Sequence, residues 1–285
     1  MSVRSLLVAT DFSAHAHRAA LRAAVLAREH GARKCVLLHV APRHAALERV
    51  LRRELQGLAR ELKSQTGVAF APRLAHGPVV DTLARAASRF DLVVAGAQGE
   101  HRMRDFALGT SAERLLRKIR RPVLVVKRRP AGAYRRVLAP VDFSRDAGAA
   151  LALAARLAPR AELNALHAFE SPFEGKLRFA GVAEETVLHY RQQARARARA
   201  DMETMLAGLR LPAARLTRQI VQGYAPSVIA RAEGEIGADL VAIGKHGRSA
   251  LEDLLLGSVT LHALASASCD VLVVPAKARA ARARG

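Results

Sequence analysis

Short apolar segments and longer amphipathic segments alternate along the whole chain. In the first half the apolar segments are rich in valine and leucine and lie near 4–10, 34–40, 68–75, 91–96 and 122–127. Such segments are typical of parallel strands that are buried on both faces. The intervening segments have helical periodicity and lie near 14–29, 43–64, 78–89 and 110–119. This alternation predicts a parallel sheet covered by helices on both faces.

The second half of the chain repeats the first. The segment LLVATDFS at 6–13 matches VLAPVDFS at 137–144, and the VLVV of 123–126 recurs at 271–274. Further strands are predicted near 135–141, 161–168, 213–221, 239–244 and 271–275, with a long helix at about 182–208. Self-similarity on this scale indicates two copies of one structural unit.

The repeat divides the chain into two predicted domains, 1–130 and 134–277, joined by a basic stretch that contains proline and glycine. The second domain has a longer segment at about 171–209. Each domain is predicted to be α/β and Rossmann-like, with a five-stranded parallel sheet and helices on both faces. The last strand of each copy is apolar and would be a bare sheet edge, so we expect the two to pair in an intramolecular pseudo-dimer. A further homodimer remains open.

Composition narrows the class of protein. The chain is 51% hydrophobic but only 4% aromatic, with no Trp, which predicts an aliphatic core. No apolar run approaches the roughly 20 residues that cross a bilayer, so we expect a soluble, cytoplasmic protein. Cys35 and Cys269 are distant in sequence and are interpreted as core residues, not as a disulfide or zinc site. His39 and His167 occupy matching places in the second strands and are interpreted as core histidines, with no metal site expected.

A glycine pattern follows the fourth strand of each copy. The first is Gly96-Ala-Gln-Gly99, then nine residues, then Gly109-Thr110; the second is Gly244-Lys-His-Gly247, then nine residues, then Gly257-Ser258. Glycine lets backbone N–H groups approach a ligand closely, and a helix that begins at the last pair offers further N–H groups to phosphate. Thr110 and Ser258 are predicted as helix N-caps. Simple turn formation is the alternative, but the identical spacing in both copies favours a phosphate site.

Asp11 and Asp142 follow the first strand of each copy, where ligands bind in open α/β sheets. A carboxylate at this place can accept hydrogen bonds from a ribose or an adenine amino group. The alternative is a local helix-capping role, because a serine follows two residues later.

These motifs together resemble the universal stress protein family. The resemblance rests on G-x2-G-x9-G followed by Ser or Thr, on Asp-Phe-Ser after strand one, and on the terminal VLVV strand. It implies a domain like those of the adenine nucleotide alpha hydrolases, which binds ATP, with the presence of Mg²⁺ left open. It also implies that the adenosine is held by Asp11 and the backbone at Val40 in the first copy, and by Asp142 and Ala168 in the second. The glycine motif would hold the phosphates, with Arg248 flanking the second.

Three functions follow from these features. The first is a regulatory, nucleotide-binding stress protein whose occupancy alters binding to an unknown protein partner. The second is a slow ATPase or phosphoryl-transfer protein, although no catalytic residues are predicted and no nucleophile–base pair is evident. The third is general polyanion binding, because residues 1–132 carry 25 basic and 10 acidic residues, a net +15 of the total +21. Specific nucleic-acid binding is disfavoured by the scarcity of aromatic residues.

The two sites are expected to be unequal. Lys245, His246 and Arg248 flank the second glycine motif, whereas Glu100 takes the place of Arg248 in the first. Cations near a triphosphate favour binding, so the second site is expected to be the tighter one.

Overall fold

The structure is a computed structural model of the 285-residue chain. It describes residues 3–97, 110–170, 182–209, 211–247 and 256–275.

The first half alternates strands and helices as the sequence predicts. Its strands are β1 Ser5–Ala9, β2 Lys34–Ala41, β3 Ala71–His76, β4 Leu92–Gly96 and β5 Val123–Val126. Its helices are α1 Ala14–His30, α2 Ala45–Thr66, α3 Val79–Ala87 and α4 Thr110–Lys118.

The second half repeats this order. Its strands are β6 Arg136–Pro140, β7 Glu162–Phe169, β8 Leu216–Gln222, β9 Leu240–Gly244 and β10 Asp270–Val274. Its helices are α5 Arg145–Leu157, α6 Glu184–Ala207, α7 Ala225–Ile236 and α8 Ser258–Ser266, with a short 3₁₀ turn at Ala213–Arg215.

All ten strands form one sheet in the order β3-β2-β1-β4-β5-β10-β9-β6-β7-β8. Within each half every pairing is parallel, whereas β5 and β10 pair antiparallel, with Leu124 opposite Leu272. The pairing of the two terminal strands, expected from their apolar character, is therefore present. Since both strands are central, neither exposes a bare edge.

Helices cover both faces of this sheet. One face packs against α1, α2, α5 and α6, and the other against α3, α4, α7 and α8. The cores are almost entirely aliphatic: alanine side chains of α1 and α5 lie against the strands, which brings the helices close to the sheet. The predicted class is confirmed: two α/β, Rossmann-like halves with mostly parallel strands.

A buried network joins the two halves beside the central strand pair. Asp270 accepts hydrogen bonds from Arg22 Nε at 3.1 Å and from the Tyr134 hydroxyl at 2.7 Å. Its other oxygen accepts from the backbone N–H of Lys127 at 2.9 Å. The Arg22 guanidinium lies 4.1 Å from the centre of the Tyr134 ring and donates to the Gly132 carbonyl at 2.6 Å. The linker is thus fixed by helix α1 of one half and strand β10 of the other.

Both cysteines are free and buried. Burial raises the pKa of Cys35 to about 11, and burial followed by the nearby Glu233 carboxylate raises that of Cys269 further. Their thiols therefore stay protonated at neutral pH, in line with the interpretation as core residues.

Candidate functional site

The turn after the first strand has the same geometry in both halves. Phe12 and Phe143 adopt left-handed backbone, with φ of 66° and 64°, which costs energy in a non-glycine residue. Asp11 Oδ1 accepts from the Ser13 N–H, and Asp142 Oδ1 from the Ser144 N–H, each at 3.0 Å. The chain therefore turns sharply at the carboxyl end of β1 and β6.

The following serines, not the aspartates, cap the helices. Ser13 Oγ accepts from the Ala16 N–H and Ser144 Oγ from the Ala147 N–H, both at 3.2 Å. Helix capping therefore does not require the aspartates, although one oxygen of each shapes the turn. Because the serines cap the helices, the alternative that Asp11 and Asp142 serve only as helix caps is weakened.

His39 and His167 support these turns. His39 Nδ1 lies 2.8 Å from the Thr10 carbonyl, and His167 Nδ1 lies 2.7 Å from that of Val141. Their rings contact Phe12 and Phe143, with centroids 4.6 and 4.3 Å apart. Within the described residues, no three His, Cys, Asp or Glu side chains are grouped to hold a metal ion.

Val40 and Ala168 lie in the parts of β2 and β7 that extend beyond the ends of the neighbouring strands β1 and β6. The Leu38 carbonyl accepts from the Thr10 N–H at 3.0 Å, and this hydrogen bond lies at the end of the ladder between β1 and β2. Residues alternate sides along a strand, so Val40 directs its backbone N–H and C=O the same way as Leu38, beyond the end of β1. Leu166 accepts from Val141 at 2.8 Å, so Ala168 is placed likewise.

The first glycine of each motif makes room for a helix. A Cβ on Gly96 would lie 2.7 Å from the His15 carbonyl carbon, and one on Gly244 would lie 2.8 Å from the Ala147 nitrogen. Both contacts are to helix backbone that packs over the strand end. These two glycines are therefore required for close packing of α1 and α5 on the sheet, and their part in ligand binding stays a prediction.

This packing role gives a stability prediction. Gly244→Ala is expected to lower the free energy of unfolding by about 1–3 kcal/mol, because the added methyl must displace helix backbone. Gly57→Ala is the matched control: its Cβ would meet nothing within 4 Å in helix α2, so it should be neutral or stabilising. Urea denaturation of both variants measures the difference, and equal midpoints would contradict the packing role.

The later glycines of the second motif bring two loops together. A Cβ on Gly247 would lie 3.0 Å from Asp142 Oδ2, and one on Gly257 would lie 3.6 Å from the Gly247 nitrogen. The Gly257 N–H donates to the Lys245 carbonyl at 3.1 Å. The loops after β6 and β9 thus meet the start of α8 at the carboxyl edge, between two adjacent strands whose connections run in opposite directions. That is the place where open α/β sheets bind ligands.

The N-cap predicted in the second half lies one residue too late. Helix α8 begins at Ser258 with Gly257 as its N-cap. Helix α4 is described from Thr110 onward, and the residue before it lies outside the described residues, so the N-cap predicted in the first half stays a prediction. Ser258 is exposed in the first helical turn, where its N–H has no partner within the helix. The predicted site residues Gly99, Gly109 and Arg248, together with Glu100, lie outside the described residues.

Lys245 does not lie toward the glycine loop as expected. It is only 3% exposed, and its Nζ donates to the carbonyls of Arg117 at 2.8 Å and Ile119 at 3.1 Å. These carbonyls are at the C-terminal end of α4 in the other half, an end that favours a cation. Lys245 therefore joins the halves, and its charge does not support the expectation of a tighter second site.

His246 is held by a residue that sequence reasoning missed. Asp146 Oδ2 accepts from the His246 backbone N–H at 3.1 Å and lies 2.9 Å from His246 Nδ1. Asp146 is in the first turn of α5 and follows the Asp-Phe-Ser turn by two residues. Its matching residue in the first half is His15, so an alignment of the two copies would not have drawn attention to it.

The fold defines a tandem Rossmann-like protein, and the loops of its second half form a candidate ligand site at the carboxyl edge of the sheet. A family model described as the universal stress protein family matches residues 2–127 and again 133–275. The chain therefore belongs to the universal stress protein family, as a member with two domains in tandem.

Solved structures agree with this fold over nearly the whole chain. A universal stress protein from Archaeoglobus fulgidus is 17% identical, with a TM-score of 0.70, over 97% of this chain and 100% of that one. One from Pseudomonas aeruginosa is 22% identical, with a TM-score of 0.64, over 96% and 94%. No curated protein sequence matches the chain significantly. In the described part of the chain, no helix has the length and apolarity to span a bilayer.

Proposed function

We propose that this protein binds an adenine nucleotide, ATP in the first instance, at the carboxyl edge of each half. One observation carries the proposal: in the second half, Gly247, Gly257 and the start of α8 converge beside Asp142 between β6 and β9. A helix N-terminus with small, glycine-lined approaches suits phosphate, and a carboxylate beside it suits the hydroxyl or amino donors of a nucleoside.

The division of roles follows the strand ends. We assign the nucleoside to Asp142 and to the backbone at Ala168, which faces past the end of β6. The phosphates are assigned to Gly247, Gly257 and Ser258, with Arg248 nearby in sequence. The first half would use Asp11, Val40, Gly99, Gly109 and Thr110 in the same way, while Gly96 and Gly244 keep the helices in place below each site.

Binding, not turnover, is the proposed activity. The nucleotide would stabilise one arrangement of the site loops, and a protein partner would recognise that arrangement. A slow ATPase, with Mg²⁺ bound through the nucleotide, is the second candidate. The resemblance of the site to a phosphate cradle supports it, but phosphoryl transfer also needs a positioned water or nucleophile.

We expect freshly purified protein to release an adenine nucleotide on denaturation. Mass spectrometry of the released fraction identifies it, and calorimetry with ATP, ADP and adenosine ranks the contributions of phosphates and nucleoside. Turnover of labelled ATP, with and without Mg²⁺, separates binding from hydrolysis.

A salt titration separates this proposal from general polyanion binding. Polyanion binding through the basic first half would weaken steeply with salt and would not distinguish ATP from GTP or triphosphate. A cradle that recognises adenosine should retain a preference for ATP at high salt. Equal affinities for ATP and inorganic triphosphate would contradict the proposal.

A further inference from the structure

A histidine–aspartate pair lies inside the second glycine motif. His246 precedes Gly247 directly, and its Nδ1 is 2.9 Å from Asp146 Oδ2. The side chains are 18% and 12% exposed, so the pair is largely shielded from water. A second bond, from the His246 backbone N–H to the same oxygen, fixes the residue at both its main chain and its ring.

The far nitrogen of this ring has no hydrogen-bond partner among the described residues. Within the described structure, His246 Nε2 is buried and makes no hydrogen bond. A buried polar atom without a partner costs about 1–3 kcal/mol, so such atoms are rare unless a water, ion or ligand satisfies them. By contrast, the site histidines of the strands, His39 and His167, bond to main-chain carbonyls.

We infer that His246 is a phosphate-binding residue of the second site, donating from Nε2 to the nucleotide as an imidazolium that Asp146 orients and neutralises. This inference rests on the proposed function. With Nδ1–H directed to Asp146, the neutral ring would offer Nε2 only as an acceptor, which a phosphate oxygen cannot satisfy. The imidazolium makes both ring nitrogens donors, one to the carboxylate and one to phosphate.

The charges around the ring fit this assignment. Asp146 lies on α5 and Asp142 at the end of β6, where Asp142 is next to Gly247. Both carboxylates are opposite in charge to the proposed imidazolium. Lys245, the nearest cation in sequence, bonds instead to Arg117 and Ile119 of the other half. Asp270, at the start of β10, bonds instead to Arg22 and Tyr134. Arg248, Glu252 and Asp253 lie outside the described residues.

The first half lacks this pair and provides an internal comparison. Gln98 stands in the place of His246, and His15 in the place of Asp146. A glutamine amide does not titrate between pH 5 and 8, whereas histidine does. Protonation should therefore be coupled to phosphate binding at the second site through this position, and not at the first.

The test compares pH profiles of nucleotide affinity in the full chain with the first site blocked by Gly109→Val. In that background, ATP affinity is measured by calorimetry at pH 6, 7 and 8, with His246 intact and as His246→Gln. Losing one charge-assisted bond to phosphate should weaken ATP binding at pH 6 by roughly tenfold to hundredfold. The difference in ATP affinity between the two proteins should become smaller toward pH 8. ATP's own titration is common to both proteins and cancels in the comparison.

Three further measurements distinguish a phosphate contact from a structural role. Adenosine affinity should be equal with and without His246→Gln, because the nucleoside does not reach the ring. Asp146→Asn should weaken ATP binding in the same direction, since the ring then loses its counter-charge. In ¹⁵N-histidine NMR, ATP should shift the His246 resonances to those of a doubly protonated ring. These resonances are assigned by their absence from the spectrum of His246→Gln.

Each outcome is decisive. Parallel pH profiles with and without His246, in a protein that binds ATP, would overturn the inference and leave the proposed function standing. Equal losses of ATP and adenosine affinity would also overturn it, because they indicate a structural role. If the unmodified chain binds ATP at no pH, the proposed function itself is wrong, and the inference fails with it.

Discussion

Asp270→Ala is expected to lower the free energy of unfolding by about 3–5 kcal/mol, the largest stability effect of any single substitution considered for this chain. Asp270 is 1% exposed and its partner Arg22 is 5% exposed, so removing the carboxylate leaves a buried guanidinium without its counter-charge. The Tyr134 hydroxyl and the Lys127 N–H lose their acceptor as well. Urea denaturation monitored by circular dichroism measures the change.

The control is a surface carboxylate that forms an ion pair of similar type. Asp81 pairs with Lys118, but both side chains are about half exposed, so Asp81→Ala should cost less than about 1 kcal/mol. The double variant Arg22→Met, Asp270→Leu should recover much of the loss, because an apolar pair carries no desolvation penalty. A loss for Asp270→Ala no larger than that for Asp81→Ala would show that the network does not hold the halves together.

The same network makes the fold sensitive to alkaline pH. Burial, and then the negative charge of Asp270, raises the pKa of Tyr134 well above its ordinary value. The folded state therefore holds this proton more tightly than the unfolded state, in which tyrosine titrates at about pH 10. The contribution of Tyr134 to the free energy of unfolding is therefore present in full below about pH 10, and it decreases as the pH rises above that value.

Sequence periodicity was sufficient to predict the fold because buried parallel strands have a strong local signal. The apolar run at 240–244 is buried throughout, and the predicted strand 239–244 agrees with Leu240–Gly244. The ends of strands were predicted less accurately where the apolar run continues beyond the strand. Strand β3 begins at Ala71 instead of 68, since the apolar stretch before it includes Phe70, which is buried in the core without belonging to the strand.

The contacts between the halves were not predictable in this way. From sequence, Asp270 differs from the proline at the matching place in the first half, Pro122, and suggests only a change in how the strand begins. Its partners Arg22 and Tyr134 are 248 and 136 residues away. Lys245 was misplaced for the same reason, because it bonds to Arg117, 128 residues away. Charge next to a glycine motif indicates phosphate only if the side chain has no better partner across the interface.

The glycines were predicted as a group but have different roles. Spacing alone treats Gly244 and Gly257 alike, since both belong to the same motif. The structure separates them: a methyl on Gly244 would meet helix backbone at 2.8 Å, whereas one on Gly257 would have its nearest contact, Thr260 Oγ1, at 3.5 Å. Of these two glycines, Gly257 is therefore the one whose substitution tests ligand binding without disturbing the fold.

Gly257→Val is accordingly expected to reduce ATP affinity at the second site by at least about 100-fold, and Gly257→Ala by about tenfold. The added Cβ lies 3.6 Å from the Gly247 nitrogen, so it covers an N–H that is proposed to face phosphate. Losing one or two charge-assisted bonds, each worth about 1.5–3 kcal/mol, gives changes of this size. Gly257 has φ of −59°, which any residue adopts, so backbone strain does not contribute.

Calorimetry with ATP in the Gly109→Val background measures this loss at the second site alone. Gly234→Ala is the matched control, because its Cβ in helix α7 would meet nothing within 4 Å and its affinity for ATP should be unchanged. Circular dichroism and the urea midpoint of Gly257→Ala should match those of the unmodified chain, since its methyl makes only ordinary contacts. Undiminished ATP binding by Gly257→Val, in a protein that remains folded, would place the phosphates elsewhere and remove the start of α8 from the site.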